Sequence, residues 1–321
     1  MSALVVINNG HHVTTQDLGR RNASRYGLTQ GGAADWHAHC WGQKLLGNPM
    51  TATSLEILLG RVKFRAQRDL VLALTGADCH AEIHARFAAD PIENWRVFSL
   101  KEGQELHLKV PRSGCRTYLS VASGFDVEPF MGSSSTVERD GVGGIAPGQP
   151  LSCGDKLNIN RSERLHQSVE ANHHPMPRCA IPRYVGERTL HLLPCFQFEQ
   201  IEPLLRNKLL EQSYTVSANS NRMGIRLESS DSSIANHCQH LPSLISEGIV
   251  TGSVQVPPDG NPILMLCDHQ TLGGYQKLGV IAFRDLSIAA QLRPGEKLRF
   301  KLSPAPLERL KQQAFYRHFS L

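Results

Sequence analysis

The alternation of apolar and polar residues predicts a chain built mainly of short β-strands. Val254 and Val256 alternate with polar neighbours, as in a half-buried strand, and residues 263–267 form an apolar run short enough for a strand buried on both faces. The residues between them, PPDGN, are typical of a turn. Comparable patterns predict further strands at residues 4–7, 55–59, 70–74, 96–100, 117–122 and 157–159.

Three segments have helical spacing instead. Asp35 can cap a helix over residues 35–46, which Gly47 and Asn48 would end. Two more helices are predicted at residues 198–212 and, with an apolar stripe, at residues 307–318. Because most other connections are short turns, the pattern favours meanders and closed barrels over βαβ units.

The two halves of the sequence align at one constant offset, 252 − 60 = 192 residues. This offset places Gly60 on Gly252, Val62 on Val254 and residues 71–74 on residues 263–266. Without a gap, it also places KEGQELHLK (101–109) on RPGEKLRFK (293–301). We therefore predict a duplicated β module, with one copy before about residue 112 and the other from about residue 190.

Composition is ordinary for a soluble protein and argues against several classes. The 321 residues suffice for two domains, and 27 glycines with 18 prolines fit many turns. A net charge of +5 without a basic tract argues against nucleic-acid binding, and no apolar stretch is long enough to span a membrane. The eight cysteines form no CxxC pair, so we expect free thiols in a reducing cytoplasm.

The polar string that follows the apolar run 263–267 is the first candidate site. Asp268, His269, Gln270 and Thr271 carry hydrogen-bonding side chains, and a buried strand that ends in a polar loop is a common way to present a site. Gly273 and Gly274 would let the backbone approach a ligand or adopt positive φ. The alternative is a hairpin turn with solvated polar residues.

Two further stretches have side chains suited to an anion. Arg222, in SNRMG, offers a bidentate fork for a carboxylate or phosphate, and its alternative is a structural salt bridge. The hydroxyl-rich string at residues 133–136 suits an oxyanion or phosphate, although composition favours a flexible surface loop.

Histidine-rich strings do not predict a metal site. His37 and His39 would point to different faces of a helix, and His80 and His84 have helical spacing in a segment that looks like strand or turn. The string NHCQH at residues 236–240 is isolated. The chain also lacks GxxxxGK[ST], which excludes a P-loop.

A series of motifs runs in one order over nearly the whole chain. They are TTQDLGR (14–20), GGAAD (31–35), LLGNPMTATSLEILLG (45–60), ALTGAD (73–78), RTYLSVASGF (116–125), MGSSST (131–136), SNRMGIRL (220–227), SEGIVTGSVQVPPDGNPILML (246–266) and DHQTLGGY (268–275). With these motifs the chain resembles the family of the 5-oxoprolinase C subunit. The same family is known as allophanate hydrolase subunit 2, Kip-antagonist or biotin-dependent carboxyltransferase-like.

The resemblance implies a mainly β fold: two cyclophilin-like β-barrel lobes from an internal duplication, with a few short helices. We expect residues 1–180 to form the first lobe with its connecting strands and linker, and residues 181–321 to form the second lobe with a C-terminal helix. Residues 161–184, polar and proline-containing, are the linker candidate.

The resemblance also implies one component of an ATP-dependent 5-oxoprolinase, which opens 5-oxo-L-proline to L-glutamate. Such a component works with an A subunit and a Kip-inhibitor-like B subunit, and we expect it to be inactive alone. ATP with Mg²⁺ is the expected cofactor, which the partner subunits could hold. Biotin is not expected, because the chain has no Met-Lys-Met acceptor.

For this reaction, the hypothesis assigns Arg222, Asp268 and Gln270 to catalysis. Arg222 would clamp a carboxylate or phosphate, while Asp268 and Gln270 would orient the amide or water. The remaining candidates would bind substrate: Gly32, Asp35, Asn48, Ser134, Thr136, Asn221, Thr271, Gly273, Gly274 and Tyr275. Two alternatives remain open: a regulator that binds a Kip-inhibitor-like partner, and a carboxyltransferase component of a urea-carboxylase or allophanate-type system.

Overall fold

The computed structural model describes residues 2–86, 88–160, 176–231, 233–241 and 244–321. Most of the predicted linker, residues 161–175, lies outside these ranges. The chain divides into two compact units. Unit 1 comprises Met1–Arg21 and Gly31–Tyr184, and unit 2 comprises Asn22–Gln30 and Val185–Leu321.

Unit 1 is built from two antiparallel sheets. Its strands are β1 (Leu4–Asn9), β2 (His12–Gln16), β3 (Ser54–Leu58), β4 (Val62–Ala66), β5 (Leu70–Gly76), β6 (Glu82–His84), β7 (Ala89–Pro91), β8 (Arg96–Leu100), β9 (Glu105–Leu108), β10 (Arg116–Val121), β11 (Phe125–Asp126) and β12 (Lys156–Ile159). Over the described residues the sheet orders are β11-β12-β1-β4-β9-β6-β7 and β2-β3-β10-β5-β8. Leu4, Phe64 and Leu119 are among the side chains through which both sheets share one buried core.

Helix α1 (Trp36–Leu45) covers the outer face of β5 and β10. The approach is close, since a Cβ on Gly42 would lie 2.7 Å from the Ser120 Oγ. The Thr75 hydroxyl of β5 donates to the Ala38 carbonyl at 2.7 Å. Strand β5 is therefore buried on both faces, as its continuous apolar run predicts.

Unit 2 is a closed barrel with short helices around it. Its strands are β13 (Arg188–Pro194), β14 (Tyr214–Val216), β15 (Gly224–Ser229), β16 (Glu247–Gly248), β17 (Ser253–Val256), β18 (Ile263–Met265), β19 (Leu272–Gly273), β20 (Gln276–Ile281) and β21 (Lys297–Leu302). The barrel order is β13-β20-β17-β18-β15-β14-β21, and β16 and β19 pair separately. The helices are α2 (Pro203–Glu211), α3 (Ser233–Cys238), α4 (Phe283–Ala289) and α5 (Ala305–Phe319).

The structure confirms the mainly β fold class and most of the predicted elements. The helix predicted at residues 198–212 is interrupted: a 3-10 helix, Phe196–Gln200, precedes α2. Pro203 explains the break, because proline favours the first helical position and forces Glu202 into an extended conformation, with ψ 132°. No helix among the described residues is long and apolar enough to cross a membrane.

The constant sequence offset matches elements but not their hydrogen-bonded neighbours. It aligns β4 with β17, β5 with β18 and β9 with β21. However, β4 pairs with β1 and β9, whereas β17 pairs with β18 and β20. Similar alternation and turn positions therefore do not determine which strands become neighbours, since pairing depends on contacts distant in sequence.

Candidate functional site

Asp17 lies directly after β2, and it is only 6% exposed. Its Oδ1 accepts hydrogen bonds from the hydroxyls of Ser133 (2.7 Å) and Ser135 (2.6 Å) and from the Gly19 N–H (2.7 Å). Its Oδ2 accepts from the Ser134 N–H (2.8 Å) and the Ser134 hydroxyl (3.2 Å). Five donors from uncharged groups therefore satisfy one buried carboxylate.

Arg20, from the same TTQDLGR motif, holds the serine-rich loop at a second point. Its guanidinium is buried, donates to the Ser135 carbonyl and lies 5.8 Å from the centre of the Phe130 ring. At the tip of the loop, Met131 and Gly132 form a tight turn with φ values of 49° and 77°. Asp17 and Arg20, the two charged residues of TTQDLGR, therefore both hold the MGSSST loop in place.

The flexible surface loop predicted at residues 133–136 is wrong, because all four residues are at most 4% exposed. The Ser135 N–H donates to a neighbouring hydroxyl (3.1 Å), and the Thr136 N–H donates to the Thr15 carbonyl (2.9 Å). The Thr15 hydroxyl contacts the Ser134 carbonyl (2.9 Å) and the Thr136 hydroxyl (3.1 Å). These polar groups bind within the protein, so the geometry does not support direct anion binding by Ser134 and Thr136.

The GGAAD motif lies against the Asp17 segment. The Ala33 N–H donates to the Asp17 backbone carbonyl at 2.8 Å. Gly32 has a φ of +94°, and a Cβ on it would lie 2.9 Å from the Gly19 backbone nitrogen. The space that Gly32 leaves is therefore occupied by the protein's own backbone.

Glu56, on β3, is a second buried carboxylate that holds GGAAD. It accepts hydrogen bonds from the Ala34 N–H (3.0 Å), the Tyr118 hydroxyl (2.6 Å) and Arg116 Nε (3.2 Å). The Tyr118 oxygen in turn accepts from the Asp35 N–H at 2.8 Å. Burial and then the nearby carboxylates raise the pKa of Tyr118 well above 10.0, so its phenol remains a neutral donor.

Asp35 and Asn48, both predicted to bind substrate, make structural hydrogen bonds. Asp35 Oδ1 accepts from the Ala38 N–H at 2.9 Å, which confirms it as the cap of α1. The Asn48 amide makes two donor contacts, one of them with the Val121 carbonyl at 2.8 Å, and its oxygen accepts from the Ser123 N–H at 2.9 Å. Asn48 therefore links the end of α1 to the end of β10.

In unit 2, the predicted catalytic residues Arg222 and Asp268 form a bidentate ion pair. Nε lies 2.8 Å from Oδ2 and Nη2 lies 2.9 Å from Oδ1, and the two residues are 9% and 5% exposed. They meet because the β15–β18 pairing continues past both strands, with the Asp268 N–H donating to the Arg222 carbonyl (3.0 Å). The fork assigned to an external anion therefore holds the chain's own carboxylate, as in the alternative salt-bridge interpretation.

The backbone of the DHQTLGGY loop folds against residues 244–250. The Ile249 N–H donates to the Thr271 carbonyl (3.0 Å), and the Leu244 N–H donates to the Gly274 carbonyl (3.2 Å). Gly273 and Gly274 lack positive φ, so the second of the two expectations for these glycines, a left-handed conformation, is not met in this described loop. Instead, a Cβ on Gly273 would lie 2.3 Å from Ile249 Cδ1, which excludes a larger residue in this packing.

Several of the candidate residues in unit 2 have partly or largely accessible side chains. Gln270 is half-buried, and Tyr275 is 47% exposed. Asn221 is exposed, but its Oδ1 accepts from the Met223 N–H at 2.8 Å and shapes the turn before β15. The structure thus brings Arg222, Asp268 and Asn221 to one end of the β15–β18 strand pair.

Among the described residues, no group of three or more His, Cys, Asp or Glu side chains could hold a metal ion. His39 is buried, with Nδ1 at 2.8 Å from the Ser54 hydroxyl and Nε2 at 3.0 Å from the Met50 carbonyl. Burial lowers the pKa of His39, so the ring is a neutral structural group at neutral pH. His84 lies in β6 and stacks on His107, with ring centres 3.9 Å apart.

The family model described as carboxyltransferase domain, subdomain A and B, matches residues 26–302. This chain belongs to that family. It is 34% identical to the 5-oxoprolinase C subunit of Escherichia coli over 98% of this chain and 96% of that protein. It is also 30% identical to a putative urea carboxylase of Emericella nidulans, covering 94% of this chain but 24% of that protein.

A solved structure supports the fold of this carboxyltransferase-domain protein. The crystal structure of TTHA0988 matches 94% of this chain with a TM-score of 0.79 and 29% identity. This chain spans 56% of that longer chain. The likeness therefore extends over both units of the present protein and about half of the solved one.

Sequence reasoning missed Asp17 and Glu56, which hold the family motifs of unit 1 in place. A usable signal for Glu56 is present, because a single carboxylate inside the apolar run SLEILL must find a partner when that strand is buried. For Asp17 the signal is weaker. Its hydroxyl partners lie 116 to 118 residues away in sequence, and nothing in the local pattern predicts that contact.

Proposed function

We propose that this carboxyltransferase-domain protein is the C subunit of an ATP-dependent 5-oxoprolinase. The observation that carries the proposal is the 34% identity to the E. coli protein of that name over nearly the whole length of both chains. Since the alignment includes both units, the proposal concerns the role of the whole chain. The reaction would open the ring amide of 5-oxo-L-proline to give L-glutamate.

An amide is a poor electrophile at neutral pH, so its opening requires activation. Transfer of the γ-phosphoryl group of ATP to the amide oxygen releases ADP and makes the ring carbon easier to attack. Water then adds to that carbon, the C–N bond breaks as the nitrogen takes up a proton, and a second water releases phosphate from the resulting acyl phosphate. The enzyme must orient the first water and stabilise the oxyanion that develops. These are tasks for carboxylates and hydrogen-bond donors held in fixed positions.

In this proposal Arg222 orients Asp268, and Asp268 interacts with the amide N–H or the water. Each carboxylate oxygen that accepts from Arg222 retains a further lone pair, so the ion pair does not exhaust its acceptor capacity. Gln270 then completes the polar edge of the same loop. This assignment changes the role of Arg222 from a substrate clamp to an orienting group.

The proposed enzyme is a hetero-oligomer with A and B subunits. The chain has no P-loop, so ATP with Mg²⁺ would bind through another device or another protein of the complex. The naming of the relatives as subunits supports the existence of partners. The proposed location is the cytoplasm, in keeping with eight free thiols.

The test is glutamate release from 5-oxoproline and ATP, with this chain alone and then with its A and B partners. We expect release only from the full mixture. Asp268→Asn should lower that activity, whereas Arg226→Ala, a change at an exposed position on β15, should not. A full mixture that binds all three chains but forms no glutamate would contradict the proposal.

A second candidate is a carboxyltransferase role, favoured by the identity to the putative urea carboxylase. The chain spans 24% of that protein, so any such role would need the remaining domains from other chains. ATP-dependent carboxylation of urea by a reconstituted mixture would favour this candidate. Binding of the B partner without either activity would instead favour the regulatory alternative.

A further inference from the structure

We infer that Asp17 is a positioning residue that holds two motif loops of unit 1, MGSSST and GGAAD, in their working arrangement. Its carboxylate binds the first loop through Ser133, Ser134 and Ser135. Its backbone carbonyl binds the second loop through the Ala33 N–H. A single residue thus joins the loops that contain four of the sequence candidates of this unit, Gly32, Asp35, Ser134 and Thr136.

The hydrogen-bond donors around Asp17 form a cradle for an anion, and the Asp17 carboxylate itself is that anion. Three hydroxyls and two backbone N–H groups converge on the carboxylate at 2.6 to 3.2 Å. Such a cluster is stable only while an anion is present, because buried donors without an acceptor are unfavourable. Removal of the Asp17 side chain should therefore loosen the loop rather than merely delete one contact.

The cradle also fixes the exposed tip of the first loop. Phe130 and Met131 are each 42% exposed, directly before the buried serines. Met131 has a φ of 49°, a left-handed conformation that a non-glycine residue rarely adopts. This conformation persists because the neighbouring residues are held, so loss of the Asp17 carboxylate should release the tip.

The activity arm of the test rests on the proposed 5-oxoprolinase function and uses the complex with the A and B partners. Asp17→Ala should lower kcat by up to about a hundredfold, with a smaller change in KM, since the exposed tip at Phe130 and Met131 then loses its fixed position in the complex. Added formate, a carboxylate that fits the vacated cradle, should restore part of kcat. Asp17→Asn should remain impaired and insensitive to formate.

A matched control separates positioning from general loss of stability. Glu308 in unit 2 is also a buried carboxylate with four hydrogen bonds, from Arg284, Ser303 and Lys311. Glu308→Gln should leave kcat near the wild-type value at a temperature where the chain is folded. If Asp17→Ala lowers kcat no more than this control does, the inference is wrong.

A second arm uses the isolated full chain and needs no activity. Hydrogen–deuterium exchange at residues 130–136 should accelerate in Asp17→Ala and slow again with formate, while the core strand β5 stays protected. Unchanged exchange in the loop would overturn the inference. If Asp17→Ala does not fold, Ser135→Ala removes one of the five bonds and should show a smaller increase.

The two arms also distinguish the two proposals. A wild-type complex that releases no glutamate would reject the proposed function, and the exchange experiment would still decide the role of Asp17. Conversely, an active wild-type complex with an unaltered loop in Asp17→Ala would reject the inference and retain the proposed function.

Discussion

The two units each hold a motif aspartate, but with partners of different charge. In unit 1, Asp17 accepts five hydrogen bonds from uncharged hydroxyl and amide groups. In unit 2, Asp268 accepts both bonds of one arginine fork. A buried aspartate in a family motif can therefore serve two purposes: in unit 1 the carboxylate holds a loop in place, and in unit 2 an arginine orients the carboxylate at one end of the β15–β18 strand pair.

The largest expected effect on stability follows from removing the Asp268 carboxylate in unit 2. Asp268→Ala takes the carboxylate from a guanidinium that is 9% exposed, and breaking a buried ion pair in this way costs about 3–5 kcal/mol. The free energy of unfolding of unit 2, measured by hydrogen exchange in its barrel strands, should fall by this amount. The double change Arg222→Met with Asp268→Leu should recover most of the stability but no activity. Equal losses in the single and double variants would show that the pair is not the cause.

Asp17→Asn should have a smaller effect on unit 1, about 2 kcal/mol, because its donors are uncharged and one acceptor oxygen remains. All three tryptophans, Trp36, Trp41 and Trp95, belong to unit 1, so urea unfolding followed by tryptophan fluorescence reports on this unit. Asp69→Asn, at an exposed position of the same unit, is the control and should change stability little. A loss as large as that of Asp268→Ala would remove the contrast between the two units.

Glu308 in unit 2 resembles Asp268, because its carboxylate also accepts hydrogen bonds from cationic side chains. Hydrogen bonding by Arg284, followed by Lys311 and Ser303, lowers the pKa of Glu308 from 4.5 to about 2. Its contribution to stability is therefore present above pH 4.5 and is lost as the pH falls towards 2. Glu308→Gln should lower stability by about 1.5 kcal/mol at pH 7 and flatten the acid dependence of unit 2.

Thermal unfolding between pH 7 and pH 3 measures this dependence. Glu228→Gln, an exposed change on β15, should retain the wild-type pH profile. The same slope in the Glu308→Gln variant as in the wild type would contradict the assignment of acid sensitivity to Glu308.

The smallest expected effect concerns the packing of the DHQTLGGY loop. Gly273→Ala would place a Cβ 2.3 Å from Ile249 Cδ1 and 2.6 Å from Gln255 Nε2. Both are ends of flexible side chains, so repacking should limit the loss to about 1 kcal/mol. Gly248→Ala, on the strand paired with β19, meets no atom within 4 Å and should be neutral. Equal melting temperatures for both variants would show that the loop is not tightly packed.

Much of the fold could be predicted because local pattern and local structure agree. The cap Asp35, the buried strand β5 and the alternation of Val254 and Val256 all depend on neighbours close in sequence. The short strands β6, β7, β16 and β19 escaped prediction, since two or three residues carry too little periodicity.

The candidate site was predictable only as a set of motifs. The sequence singled out Arg222 and Asp268 separately, but their contact depends on the register of β15 and β18. Likewise, the hydroxyls at residues 133–136 suggest a site for an anion, and in the structure the anion bound by the three serines is the Asp17 carboxylate. Side-chain chemistry indicates what a group can bind, and tertiary pairing decides which partner it receives.

The assignment of residues 22–30 to unit 2 has a practical consequence for gene dissection. A fragment that starts at Val185 omits this segment, and with it the hydrogen bond from the Thr29 hydroxyl to the His269 carbonyl at 3.4 Å. A fragment that ends at Tyr184 carries the segment without the unit to which it belongs. Cutting the coding sequence once therefore yields no complete copy of unit 2, and separate expression of the barrel requires residues 22–30 to be supplied in trans or by fusion.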